Sequence, residues 1–267
     1  MKTLTLDQIR ETAPSVFADE PHEKVSNKYE FIPTERVLVA LMDQGFQPVR
    51  AIQTNTRKET RKNFTQHELR FRHPDMMKNL KEIGDEVPEI VLYNSHDGST
   101  SYRLSMGLFR LACLNGMIVA SSTVQEVKVR HRGAVVQEVI DASYKIVEEA
   151  PNVMTQISHW KHLIMNPKQQ IGFAKKALEF RVTNLDIPVK ELVIHRRVED
   201  EPLENGDRDL WKTMNVVQEN LMRGGIQGKN ADTKMRQMPP VSSIVRGQKM
   251  NRNIWELADT TYERLSD

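Results

Sequence analysis

Near Ala134 the hydrophobic period of this sequence changes from two to about 3.6, and that switch constrains the fold more than any other feature. On its N-terminal side Val49, Ala51 and Gln53 alternate with Arg50, Ile52 and Thr54, and Leu69 and Phe71 alternate with Glu68, Arg70 and Arg72. Successive side chains of a strand point to opposite faces, so these segments predict two half-buried strands joined by a polar, basic hairpin arm. Tyr93-Asn94-Ser95-His96-Asp97-Gly98 predicts a tight turn between strands at Ile90 to Tyr93 and Tyr102 to Leu104, since Asp-Gly tolerates the positive φ such turns need. Asn115-Gly116 predicts another between Phe109 to Leu114 and Met117 to Val119, and a strand from Gln125 to Val129 ends the meander near Gly133. Beyond the switch Val135/Val136, Val139/Ile140, Ile146/Val147, Val153/Met154, Ile157, Trp160 and Ile164 recur at helical spacing, with Pro151 expected to kink or split the run.

Punctuation residues bound the other elements. Residues 1–30 have no clear period beyond a short helix, Leu6 to Thr12, and read as an N-terminal leader. Pro33-Thr34, the apolar face Val37, Leu38, Leu41 and Met42, and Gly45 predict a helix of three turns. Pro167 begins a helix to about Arg181, Pro188 a shorter one, Trp211 to Met222 is closed by Gly224-Gly225, and Met250 to Leu265 forms the last helix. Residues 224–247 lack any period and read as a long, mobile basic loop. The expected class is α+β: a helix on an antiparallel β-meander (about 47–133), then a mostly helical half (about 134–267), in one domain from 31 to 267.

Composition narrows the functional classes. Of 267 residues 39% are apolar and 28% charged, enough to bury a core and too patterned for disorder. The longest strictly apolar run, Val37 to Met42, is far short of the roughly 20 residues of a membrane-spanning helix, so no membrane partner is expected. Cys113 is the one cysteine, which excludes an internal disulfide and any cysteine-rich metal site and points to a reducing cytoplasm. The formal net charge of +2 averages over segments of opposite sign. Thr54 to His73 carries six basic residues against two acidic ones, a net of +4, and Leu221 to Arg252 carries seven against one, a net of +6. Acid concentrates in Met1 to Glu35 and in Glu199, Asp200, Glu201, Glu204, Asp207 and Asp209. Such asymmetry points to polyanionic partners.

The candidate binding residues follow from those two basic segments. Arg57, Lys58, Arg61 and Lys62 would crown the first hairpin, with Arg70 and Arg72 on one face of its second strand. Arg223, Lys229, Lys234 and Arg236 lie in or beside the glycine-containing loop, whose Gly224-Gly225-Ile226-Gln227-Gly228-Lys229 lacks the spacing of a P-loop. Cations on a sheet or flexible loop neutralise phosphates, and Phe64, Phe71, Tyr93 and Tyr102 are the aromatic residues near enough to stack bases. His159 and His162 are three apart on the long helix but have no third ligand in view. His96-Asp97 is explained by the turn, Cys113 as a small core residue, and the three tryptophans as core. No catalytic residue, metal site or cofactor is expected.

The segments FIPTERVLVALMDQGFQPV, NSHDGSTSYRLSMGLFRLACLNGMIV and NVVQENLMRGGI together resemble the phage- and plasmid-encoded family known as domain of unknown function 932, which takes in YubP-, YafZ- and YfjQ-like proteins. The resemblance runs from about Phe31 to Leu257, and it implies a mobile-element context in a bacterial cytoplasm but no reaction. The order helix, meander, long helix is also similar to the architecture of phage single-strand annealing recombinases. The leading expectation is a non-catalytic accessory protein that binds nucleic acid, in particular single-stranded DNA, and forms a homo-oligomer if it anneals strands. The alternative is a protein-interaction module, such as an inhibitor of a host defence complex, and the third is a metal-dependent nuclease.

Overall fold

The computed structural model describes residues 3–25, 30–78, 86–110, 115–119, 126–129 and 134–266. In chain order these form α1 (Leu6–Thr12), α2 (Thr34–Asp43), β1 (Gln47–Gln53), β2 (His67–Arg72), α3 (Pro74–Lys78), β3 (Glu86–Asn94), β4 (Tyr102–Arg110), β5 (Asn115–Ile118) and β6 (Val127–Val129). There follow α4 (Val135–His162), β7 (Ile164–Met165), α5 (Pro167–Leu178), β8 (Arg208–Asp209), α6 (Leu210–Arg223), β9 (Gln227–Lys229), β10 (Met235–Gln237) and α7 (Ile244–Ser266). The fold is α+β, with the antiparallel sheet in the N-terminal half and most of the helix in the C-terminal half. By packing the chain falls into two compact units, residues 1–109 with 122–151 and residues 110–121 with 152–267, where the sequence suggests a leader and one body.

The first unit is built on the strand order β1-β2-β3-β4, with β6 also paired to β4. Cross-strand register places Ala51, Leu69 and Leu92 in one row and Phe71 beside Ile90, so one face is apolar, as the alternation predicts. The supposed leader belongs to this core: α1 carries the capping box of Thr5 and Gln8, and Ile9, Ala13 and Val16 are fully buried. Helix α2 has the expected length, and Gly45 beyond it adopts φ +87°.

One hydroxyl ties α2 to the sheet. Thr34 Oγ1, on the first turn of α2, lies 2.9 Å from His67 Nε2 on β2, 3.0 Å from Asn94 Nδ2 on β3, 3.0 Å from His96 Nε2 and 3.2 Å from Tyr102 Oη on β4. All five residues are fully buried. Donor counting orders the protons. His67 Nδ1 lies 3.1 Å from the Thr65 carbonyl, which can only accept, so the proton sits on Nδ1 and the bare Nε2 accepts from Thr34. The Thr34 oxygen then accepts from Asn94 Nδ2–H and His96 Nε2–H, while Tyr102 donates to the Ile32 carbonyl at 2.9 Å. Ser15 Oγ, 3.0 Å from His67 Nδ1, brings the segment after α1 into the same network.

The second unit packs around α6, which is buried on nearly every side because its polar residues find partners inside. Asn220 Nδ2 donates to the carbonyls of Leu192 and Ile194, both at 2.9 Å, and Gln218 Nε2 to Asn251 Oδ1 at 2.7 Å. Trp160 of α4, Trp211 of α6 and Trp255 of α7 form one aromatic cluster with centroids 4.7 to 6.3 Å apart, as their helical spacing suggests. Helix α5 begins at Pro167 behind a capping box of Asn166 and Gln169.

Three expectations are corrected. Helix α4 is not split at Pro151, although the boundary between the units falls there: it continues as one helix of 28 residues that does without the one N–H that proline lacks. Asn115 and Gly116 begin strand β5 instead of forming a turn; Cys113 and the rest of 111–114 lie outside the described residues. The basic arm joins two antiparallel strands as expected, and it carries a 3-10 helix, Glu59–Phe64. Residues 224–247 are not without regular structure: β9 and β10 pair as a hairpin, Asp186 and Lys229 exchange backbone hydrogen bonds at 2.8 and 3.1 Å, and α7 starts at Ile244. Strands of three residues are too short to display a period of two.

Three positions test this packing by their effect on stability. Thr34→Val keeps the shape but removes the shared hydroxyl, and an unfulfilled buried donor or acceptor costs about 1–3 kcal/mol; urea unfolding should show a loss of about 2–4 kcal/mol, with Thr34→Ser recovering most of it. Gly224 caps α6 at φ 66°, ψ −142°, and a Cβ there would run into the backbone of Met238 and Pro239, whereas Gly172 in α5 has open space. Gly224→Ala should therefore lower the midpoint, and Gly172→Ala should raise stability by about 0.5–1 kcal/mol.

Candidate nucleic-acid interface

The cations proposed from sequence separate into two kinds. Arg57, Lys58, Arg61 and Lys62 all lie on the connection between β1 and β2, exposed, and none has an ion pair among the described residues. Arg61 and Lys62 belong to the 3-10 helix Glu59–Phe64 and Arg57 and Lys58 precede it, so four exposed cations fall within six residues of one connection. The connection is anchored from beneath: Gln53 Nε2 and Thr65 Oγ1 donate to the Lys62 carbonyl, and Phe64 packs edge-on against His22 at 5.2 Å.

Arg70 and Arg72 are placed otherwise. They share a face of β2, as alternation requires, but that face is buried and ionic. Arg70 Nε donates to Glu68 at 2.8 Å and its Nη1 to Glu89 at 3.4 Å, while Arg72 reaches the same Glu89 at 2.7 Å and stacks its guanidinium over Phe109. Arg70 keeps 5% of its side-chain surface and Glu89 1%, so Arg70 is enclosed by its own counter-ions. Burial pulls the Arg70 pKa down, but Glu68 and Glu89 outweigh it and hold it above the ordinary value. Glu89 was missed by sequence reasoning, although its position directly before the apolar run Ile90-Val91-Leu92 of the strand signals a buried partner for a cation.

The second basic segment is in the other unit. Lys229, Lys234 and Arg236 are exposed on the β9–β10 hairpin and have no ion pair among the described residues. Arg223 differs, because its Nε lies 3.1 Å from Glu219, a buried carboxylate that also binds Arg197 at 3.0 Å. The aromatic platforms are committed to packing: Phe71, Tyr93 and Tyr102 are buried, and burial pushes the Tyr93 hydroxyl well above its ordinary pKa. The acidic stretch is used in part inside. Asp200 is buried against Arg110 at 2.8 Å, burial raising its pKa in spite of that pairing, and Asp209 caps α6 by accepting from Lys212 N–H at 2.7 Å.

The other candidates resolve as structure. Asp97 accepts from Ser95 Oγ and Ser99 N–H in its turn; burial alone would raise its pKa, but the bonds from Ser99 and Ser95 hold it below the usual value. His159 stacks on Tyr262, and His162 Nδ1 donates to the Ser158 carbonyl one helical turn back. Among the described residues no group of three His, Cys, Asp or Glu side chains is arranged to hold a metal, and no helix is long and apolar enough to cross a membrane.

An α+β chain with a buried polar sheet and exposed cationic connections is a class of architecture, and comparison with known proteins supplies the family. The model described as Domain of unknown function (DUF932) matches residues 21–255. The chain is 36% identical over 266 residues to UPF0380 protein YfjQ of Escherichia coli (strain K12), an alignment that covers 99% of this chain and 93% of that protein. UPF0380 protein YafZ of the same strain gives the same identity and coverage. The chain therefore belongs to the DUF932 family. No solved structure matches it.

The two kinds of cation are separable by mutation. Glu89→Gln leaves two enclosed arginines short of a counter-charge and should cost about 3–5 kcal/mol by chemical denaturation. Arg57→Gln, at an exposed site, should stay within about 0.5 kcal/mol of the wild type.

Proposed function

We propose that the protein is a non-catalytic accessory protein of a phage or plasmid that binds single-stranded DNA in the bacterial cytoplasm through its phosphates. The observation that supports this reading is the contrast between cations. Arg70, Arg72 and Arg223 have carboxylate partners, whereas Arg57, Lys58, Arg61 and Lys62, with Lys229, Lys234 and Arg236, stand exposed with no ion pair among the described residues. Exposed cations on short projecting connections suit a flexible phosphodiester chain better than the major groove of a duplex, which takes a helix or ribbon. With the nearby aromatics packed, binding is carried by charge and is tolerant of sequence. Annealing of complementary strands, with assembly into a homo-oligomer, is the activity this reading leads to.

The second reading, a protein-interaction module such as an inhibitor of a host defence complex, has one observation in its favour. Val198 and Leu203 are 77% and 60% exposed among Glu199, Glu201 and Glu204. An apolar pair ringed by acid fits a basic protein partner, and cross-linking through that segment to a host protein tests it.

Fluorescence anisotropy with matched single- and double-stranded DNA across a salt series tests the first reading. Each lost phosphate contact on a single strand flattens the dependence of log K on log salt by about 0.7. Replacing Arg57, Lys58, Arg61 and Lys62 together by Gln should weaken binding and flatten the slope by up to about 3, and replacing Lys229, Lys234 and Arg236 by up to about 2. Binding with no salt dependence, or none at low salt, would overturn the reading in favour of the protein partner.

A further inference from the structure

A third group of cations lies apart from both basic connections, in a groove of the second unit between the end of α5 and the start of α7. Helix α7 presents Arg246, Lys249, Met250 and Asn253 toward it, at the i, i+3, i+4, i+7 spacing of a single helix face. Phe180, Arg181 and Val182 form the opposite wall, and Val241 closes one end. No carboxylate lines this groove, and none of its three cations has an ion pair among the described residues.

Holding these charges together is unfavourable. Arg181 is only partly exposed; its Nη2 donates to the Pro239 carbonyl, while its Nε–H is buried without an acceptor among the described residues. Its pKa is lowered, first by desolvation and then by the charge of Arg246. Nothing in the packing of α5 or α7 requires this arrangement, because Arg246 and Lys249 are exposed. Like charges kept close around an unsatisfied guanidinium donor, with no anion of the protein's own, make a site for an anion supplied from outside. The remaining lining limits what that anion belongs to. Phe180, Val182, Val241 and Met250 give the groove an apolar surface beside the cations, and the Asn253 amide offers both a donor and an acceptor.

We infer that this groove binds a nucleotide, its phosphate held by Arg181, Arg246 and Lys249 and its base laid on the apolar wall within reach of Asn253. A phosphate monoester brings nearly two negative charges and fork-compatible oxygens, and a planar base has the apolar faces and polar edge that the other half of the groove accommodates. The site uses none of the residues assigned to DNA phosphates above, so it stands or falls independently of that reading. A free nucleotide and one nucleotide of a strand both offer a phosphate beside a base, the strand's diester with a single negative charge.

Calorimetric titration of the full chain with thymidine 5′-monophosphate, thymidine and inorganic phosphate tests the inference, with an oligothymidylate as a further arm. The monophosphate should bind at least about tenfold more tightly than phosphate, and thymidine should give no measurable heat, since both halves of the ligand are needed. The variant Arg246→Gln/Lys249→Gln changes two exposed side chains, so its thermal midpoint should be unchanged while affinity for the monophosphate falls at least about tenfold. If the oligomer binds more weakly to this variant and the monophosphate competes with it, the nucleotide comes from a strand; if the monophosphate binds without competing, it is a free ligand. A monophosphate that binds no more tightly than phosphate, or equally well to the variant, would overturn the inference. Oligothymidylate binding that survives in this variant but is lost on neutralising residues 57, 58, 61 and 62, with no monophosphate binding to the unmodified chain, would overturn the inference and leave the DNA reading standing.

Discussion

The Thr34 hydroxyl is the contact on which the first unit depends. One proton and two lone pairs join the first turn of α2 to β2, to β3 and, through His96, to the turn that leads into β4. Each partner is fully buried, so water cannot replace the hydroxyl, and the proton order leaves little choice of tautomer at either histidine. A slip of one residue in β2 would move His67 to the opposite face and break the arrangement along with the apolar row of Leu69 and Phe71. The polar centre specifies the register while the surrounding hydrophobic rows supply most of the driving force.

On the other face of the sheet the same logic applies to charge. Arg50 and Arg70 are opposed in the β1–β2 register, an unfavourable pairing by itself. Glu68 and Glu89 make it tenable, and in doing so they commit Arg70 and Arg72 to the interior. Arginine is suited to this position because its fixed fork can meet two carboxylates at once. The exposed cations carry no such obligation, and this contrast, more than total charge, separates cations committed to the fold from those left at the surface. A net of +2 for the whole chain conceals it.

How much was legible follows from what each signal measures. Helices α1, α2 and α6 were readable from caps, periods and glycine stops, which act within a few residues. Alternation in β1 and β2 gave the face on which Arg70 and Arg72 lie. It did not reveal that the face is covered, since alternation of charge with apolar residues is also the pattern of a solvated strand. The β9–β10 hairpin was missed because three-residue strands have no period to detect, and its support comes from Asp186, more than 40 residues earlier in the chain. Missing it set the start of α7 six residues late, at Met250 instead of Ile244, and so hid the helical spacing of Arg246 with Lys249 and Asn253.

The sequence by itself determined the α+β class, the order of the main elements, the location of the two basic segments and the family. These are properties of local period, local composition and similarity along the chain. Only the tertiary structure decided which cations are free to meet a ligand, that Thr34 gathers residues from four parts of the first unit, and that Arg181 faces Arg246 across a groove. The reason is physical: exposure, desolvation and a missing counter-charge depend on neighbours brought together by folding, and spacing along the sequence carries no measure of them.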